Sequence, residues 1–213
     1  MPSANKKDAT TTLRRWYRND WNVKISPVGI ELTRDVSSQL TQYIFFNFVR
    51  DDLLGLRVQP ALGVKFAAVN TARDAISPRH MHTVDAVTGF VFLNDIIEAE
   101  HRKNGGWLFE ADKPLHPEFD RFLEFLDEAV LRSGFFDSLL TLDDYIAAVE
   151  NRRWIFTAVM PLYLYALIAV GDVGKAKRLA EEHRAAAIQI GIDRGFVHRV
   201  SDTEPYDEIL HMP

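Results

Sequence analysis

The chain of 213 residues has no cysteine. That single absence excludes disulfides, thiolate zinc sites, iron–sulfur clusters and cysteine nucleophiles. Long hydrophobic runs are equally scarce. The longest, Trp154 to Val170, is broken by Thr157 and Pro161 and is shorter than the roughly 20 apolar residues a bilayer span needs. It reads as a buried core helix, and no membrane is implied. The polar start carries Lys6 and Lys7 with no apolar stretch behind them, so no secretory signal is expected. Neither sign of charge dominates: 25 Lys and Arg stand against 30 Asp and Glu, a net charge of −5. A general polyanion binder is therefore excluded, and no nucleic acid is expected as a partner. With 9 prolines and 11 glycines among 47% hydrophobic and 26% charged residues, the composition is that of a globular protein. The expected location is the cytoplasm.

Several signatures of chemistry are missing too. Gly174-Lys175 lacks the upstream glycine and the following Ser or Thr of a phosphate-cradling loop. No G-x-G-x-x-G, G-x-S-x-G or H-E-x-x-H occurs.

What is present is a change of period along the chain. Asp8 to Asp20 reads as a short basic amphipathic helix with Leu13, Trp16 and Tyr17 on one face. The segment Met1–Arg18 carries five Lys or Arg against one Asp, which suits a solvated face packed by its aromatics better than a nucleic-acid arm. From Val23 the apolar residues alternate. Val23 and Ile25, then Val28, Ile30 and Leu32, form a hairpin across Ser26-Pro27-Val28-Gly29. Leu40–Val49 suits a long central strand. Leu56–Val58 and Gly63–Val69 make another, with Pro60 forcing a bulge or break between them. Val84–Leu93 is read as a strand, Asp95–Lys103 as a helix ending at Asn104-Gly105-Gly106, and Trp107–Phe109 as a further short strand.

From Pro117 onward the pattern is helical. Phe119, Phe122, Leu123, Leu126 and Val130 share one face of a helix closed by Ser133-Gly134. Thr141 with Asp144 forms a capping box for a helix through Asn151. Trp154–Val170 and Lys175–Ile190 pair across Gly171-Asp172-Val173-Gly174. The fold class is α+β: a short N-terminal helix, an antiparallel meander sheet and a helical C-terminal half. No linker separates independent domains, so residues 1–213 are read as one domain with a β-rich lobe to about 115 and a helical lobe from about 116.

Candidate metal and acid–base residues all have ordinary structural readings as well. His80 and His82 flank Met81 at a spacing metals use, with Asp85, His101 and His116 as conceivable companions, but the pair follows a Ser77-Pro78 turn where exposed histidines are common. Glu98/His101 and Glu208/His211 match Glu-x-x-His, yet a di-iron bundle needs four long helices to present such pairs. Asp51-Asp52 falls in a strand turn and Asp143-Asp144 in the first turn of a helix, where acids have structural reasons to be. No metal and no cofactor are expected.

Regional charge is the strongest signal. Residues 94–150 hold 14 Asp or Glu and 5 Lys or Arg, a local charge of −9, so the remainder carries +4. These acids are either ordinary solvated helix faces or a patch that steers a basic partner protein. The patch would comprise Glu118, Asp120, Glu124, Asp127, Glu128, Asp143 and Asp144. Trp107 and Phe135-Phe136 would anchor the contact if exposed, and otherwise belong to the core.

The order of elements, with Leu-Gly-Val-Lys-Phe at Leu62–Phe66, Gly-Gly-Trp-Leu-Phe at Gly105–Phe109, an acidic helix pair and the Gly171-Asp172 turn, resembles small bacterial α+β proteins of unassigned activity. Some of these are immunity proteins encoded beside toxins. The resemblance implies a non-enzymatic binder of the immunity or adaptor type that meets a basic toxin or effector. The competing reading is a small-molecule-binding or hydrolytic enzyme with its site at the sheet–helix junction.

Overall fold

A computed structural model describes the chain apart from residues 1–3, 18–19, 26–28, 52–54, 77–86, 97–106, 110–114, 158–159, 194–199 and 213. The N-terminal amphipathic helix is α1 (Ala4–Trp16). The alternating segments become β1 (Asn22–Ile25), β2 (Gly29–Asp35), β3 (Leu40–Asp51) and β4 (Gly55–Phe66), followed later by β5 (Gly89–Phe92) and β6 (Trp107–Phe109). They form one sheet in the order β1-β2-β3-β4-β5, with β6 pairing β4. The hairpin register sets Ile25 opposite Ile30, and the next ladder sets Ile30 opposite Phe46 and Leu32 opposite Ile44. Because side chains alternate along a strand, those two cross-strand pairs lie on one face, and all four residues are buried. An antiparallel sheet opened by a short helix and followed by helices is the fold class the sequence implies.

Contacts divide the chain into two units: Met1–Val64 with Phe90–Leu140, and Lys65–Gly89 with Thr141–Pro213. In the first, α4 (Leu115–Ser133) packs on α1 and β6. Its buried residues Phe119, Phe122, Leu123 and Leu126 recur at helical spacing. Aromatic rings fill this core: Phe122 meets Phe46 edge-on at 6.3 Å and Trp107 at 4.9 Å, and Phe119 meets Phe109 at 5.4 Å. The helix stops where expected, at Gly134 with φ +62°, a conformation that costs glycine nothing. The boundary read from the sequence near residue 115 would assign α4 to a helical lobe. By its contacts it belongs with the sheet.

The second unit is helical. It contains α2 (Ala67–Ile76), α5 (Leu142–Glu150), α6 (Leu162–Ala169), α7 (Val173–Asp193) and α8 (Val200–Leu210). The capping box of α5 is present, with Asp144 N donating to Thr141 Oγ1 at 3.1 Å and Thr141 N to Asp144 Oδ2 at 2.9 Å. Asp172 caps α7 by accepting from Lys175 N at 3.2 Å, after Gly171 turns the chain at φ +87°. Buried Tyr145 donates its hydroxyl to the Thr88 carbonyl at 3.1 Å. A Cβ on Gly89 would lie 2.6 Å from the same ring, so only glycine fits there. Glu150 receives Tyr163 Oη at 2.9 Å and Lys175 Nζ at 2.5 Å. These two hydrogen bonds, Lys175 first, hold its carboxyl below the usual range. Arg184 donates to Asp207 at 2.5 Å and ties α7 to α8.

Four elements differ from the sequence reading. Pro60 does not break the strand, because β4 runs through it. Its pairing with β6 ends at Val58, so the missing N–H falls outside that ladder. Residues 67–69 open α2 instead of ending a strand: two alanines favour helix, and Val69, Asn70 and Arg73 bury one helical face. The strand expected over Val84–Leu93 is β5 alone among the described residues, since Leu93 begins the short helix α3 (Leu93–Ile96). Residues 84–86 and most of the helix expected over Asp95–Lys103 lie outside the described residues. The helix expected from Trp154 starts only at Leu162, because Pro161 has no N–H for the ladder and its ring blocks continuation from upstream.

The shortened α6 is nonetheless buried from Tyr163 to Leu167. Phe156, Leu162 and Ile168 are half-buried, and Val159 lies outside the described residues. Leu167→Ala, at a site 1% exposed, should cost about 2–5 kcal/mol through lost transfer energy and a residual cavity. Chemical denaturation reads this directly, and an unchanged midpoint would refute the packing of α6.

Candidate functional site

The buried row of the sheet ends in polar residues. One register step beyond Leu32 and Ile44, Arg34 lies opposite Gln42 on the same face. Arg34 donates to Gln42 Oε1 from Nε at 3.1 Å and from Nη2 at 2.5 Å. Its guanidinium also sits over Trp21, 4.9 Å from the ring centroid, where the π face attracts a cation. At this end of the sheet a cleft of about 350 Å³ opens. It lies between the C-terminal end of α1, strands β2 and β3, and the end of α4 with the turn after it. Trp16, Tyr17, Trp21 and Phe136 supply aromatic surface, Ile44, Val130 and Leu131 aliphatic surface, and Asp20, Asp127, Asp137 and Arg34 the charge.

Asp127 organises one wall. Its two carboxylate oxygens accept from Trp16 Nε1 at 2.8 Å and from Tyr17 Oη at 2.6 Å. Trp21 meets Tyr17 edge-on at 6.3 Å and Phe136 at a tilt at 6.0 Å. Burial pushes the Tyr17 phenol far above its ordinary value, and the hydrogen bond to Asp127 and the charge of that carboxylate add to the shift. Asp20 and Asp137 are exposed at the rim.

The acidic residues named from the sequence differ in their partners. Asp120 pairs with Arg15 at 3.4 Å, Asp127 holds α1, and Glu128 pairs with Arg132 one turn along α4. Glu118 and Glu124 are exposed on α4. Asp143 and Asp144 belong to the second unit, and Asp144 is engaged in its capping box. The basic start of the chain and the acidic helix thus partly neutralise each other through Arg15 and Asp120. Phe135 and Phe136 are buried and Trp107 is half-buried, the core alternative of the sequence reading.

The histidines at 80, 82 and 101, together with Asp52, Asp85 and Glu98, lie outside the described residues. Among the described residues no group of three or more His, Asp or Glu is placed to hold a metal, and Glu208 is half-buried while His211 is exposed. No described helix is long and apolar enough to cross a membrane.

Sequence reasoning missed Trp21, Asp20, Arg34 and Asp137. One signal was readable: in the alternation Ile30, Leu32, Arg34, a cation occupies an inward-facing position. Comparison with protein-family models, curated proteins and solved structures finds no match to this chain.

The Tyr17–Asp127 bond has a measurable consequence. A phenol whose pKa rises on folding contributes its full stabilisation below the unfolded value of about 10 and loses it as pH climbs toward the folded value. Stability should therefore fall above about pH 10, at up to ~1.4 kcal/mol per pH unit from this tyrosine. Tyr145 and Tyr163, also raised chiefly by burial, add to the fall. Tyr17→Phe should flatten the alkaline limb of a stability–pH curve. An unaltered slope would show that this phenol ionises freely in the folded protein.

Proposed function

We propose that this is a non-enzymatic binding protein of the immunity or adaptor type, that its partner is a basic protein, and that the cleft of the first unit anchors the contact. One observation carries the reading. Leu131 lines the cleft yet is 77% exposed, and the same lining holds buried Phe136 and the exposed carboxylates of Asp137 and Asp20. A large apolar side chain left in water within a charged rim is what a protein partner covers, and the rim then excludes solvent around it. Among the described residues, three carboxylates against one guanidinium give the lining a charge of −2, and Glu124 on α4 adds to the negative field. Among the described residues the lining contains no histidine, serine or threonine, and its one hydroxyl, Tyr17, is bound to Asp127. That composition favours binding over hydrolysis, although the cleft lies at the sheet–helix junction where an enzyme site was the alternative. The resemblance to immunity proteins supports a cytoplasmic setting and a basic toxin or effector, such as a nuclease, as the partner.

Binding kinetics on the product of the adjacent gene, run across a salt series, test the proposal. The association rate should fall as the Debye length shrinks from ~10 Å at 0.1 M to ~3 Å at 1 M salt. Glu124→Lys should slow association further, and Leu131→Asp should speed dissociation by about tenfold or more with the melting temperature unchanged. An acidic partner, or an association rate indifferent to salt, would refute it.

A further inference from the structure

The cleft is built for one kind of cation. Asp127 is engaged by two donors within the protein, so its charge organises the wall and leaves little capacity for a ligand. Arg34 is likewise engaged, stacked on Trp21 and bonded to Gln42. Among the described residues, the groups left to meet a visitor are the carboxylates of Asp20 and Asp137 at the rim and the half-exposed indoles of Trp16 and Trp21. At about 350 Å³ the space is at the small end of ligand pockets, the size of one long side chain rather than a peptide segment.

We infer that this cleft takes a single arginine side chain of the partner, its guanidinium stacked on the indoles and hydrogen-bonded to Asp20 and Asp137. The inference rests on the binding reading above and names what that partner must present. Arginine fits better than lysine for three reasons. Its planar group lies flat on an aromatic face, as Arg34 already does here. Its fork of five N–H donors can serve two carboxylates at once, whereas an ammonium acts as a point charge. It is also the more weakly hydrated cation, so it enters an aromatic cleft at lower cost. The resident Arg34 does not repel it decisively, because three carboxylates line the same space.

The test uses the full chain and three small probes: the N-acetyl amides of arginine, lysine and citrulline, the last replacing guanidinium by a neutral urea of the same shape. Titration is followed by the indole N–H resonances in ¹H–¹⁵N spectra. The arginine probe should shift Trp16 and Trp21 while leaving Trp107 and Trp154 in place. Citrulline should bind at least about tenfold more weakly, the loss expected when charge-assisted hydrogen bonds are removed. The double variant Asp20→Asn/Asp137→Asn, at exposed positions, should lose arginine binding to a similar degree and melt as the parent does.

Equal binding of citrulline, equal or tighter binding of lysine, or shifts produced by acetate or phosphate through Arg34 would each overturn the inference. The two proposals fail separately. If the basic partner associates with the expected salt dependence but the arginine probe moves neither indole, the arginine pocket is wrong and the binding surface stands. If the probe binds and the partner does not, the partner is wrong while the chemistry of the cleft holds.

Discussion

A half-buried carboxylate that accepts two hydrogen bonds is what keeps the N-terminal helix against the acidic one. Asp127 reaches both Trp16 and Tyr17 across more than a hundred residues of chain, and the aromatic wall of the cleft follows from that bond pair. Hydrogen bonds to a charged acceptor are stronger than neutral ones, and the Tyr17 hydroxyl would otherwise be buried and unpaired. The surface pair Arg15–Asp120 alongside is largely in water and adds little. The helix pair is therefore fixed by a polar clamp at one end and by packing along its length. Leu13 and Ala9 on α1 are fully buried, as are Phe119 and Leu123 on α4.

This arrangement changes how regional charge is read. An excess of −9 across residues 94–150 looks like one acidic surface when the chain is a string of letters. Folding pairs part of it internally. Asp127 holds α1, Asp120 pairs with Arg15 and Glu128 with Arg132. Asp143, Asp144 and Glu150 belong to the other unit, while most of the described acids, Glu118, Glu124 and Asp137 among them, are exposed. Charge counted along a sequence measures the field only after internal pairing is subtracted, and the basic segment Met1–Arg18 was the visible hint that subtraction was needed.

Elements with a clean period were legible. Alternation placed β2 and β3, helical spacing placed α4, and local chemistry placed the caps at Thr141 and Gly134, because each depends on neighbours within a few residues. Pro161 limited α6 in a way the sequence also displayed, but an apolar run on both sides of it outweighed the proline. The start of α2 was hidden because Ala67-Ala68-Val69 continues the apolar strand before it without any turn residue. The cleft was hidden for a different reason. Its residues come from α1, the approach to β1, β2, β3 and α4, and only the register brings Arg34 to Trp21. No local rule reports a juxtaposition of that kind.

The path of the chain between the two units bears on how the protein is made. The backbone passes from one unit to the other at Val64–Lys65, returns at Gly89–Phe90 and leaves again at Leu140–Thr141. A ribosome therefore releases β1 to β4 well before α4, which covers their apolar face, has been synthesised. Ile30, Leu32, Ile44 and Phe46 must wait, exposed or transiently shielded, through the emergence of α2 and β5. Assembly by such distant closures is slower than folding from local contacts, and it leaves a window in which unpaired strands can meet those of another chain. Translation speed and chaperone supply over residues 65–115 thus become determinants of yield, and a truncation before Leu115 would strand the sheet without α4 as its cover.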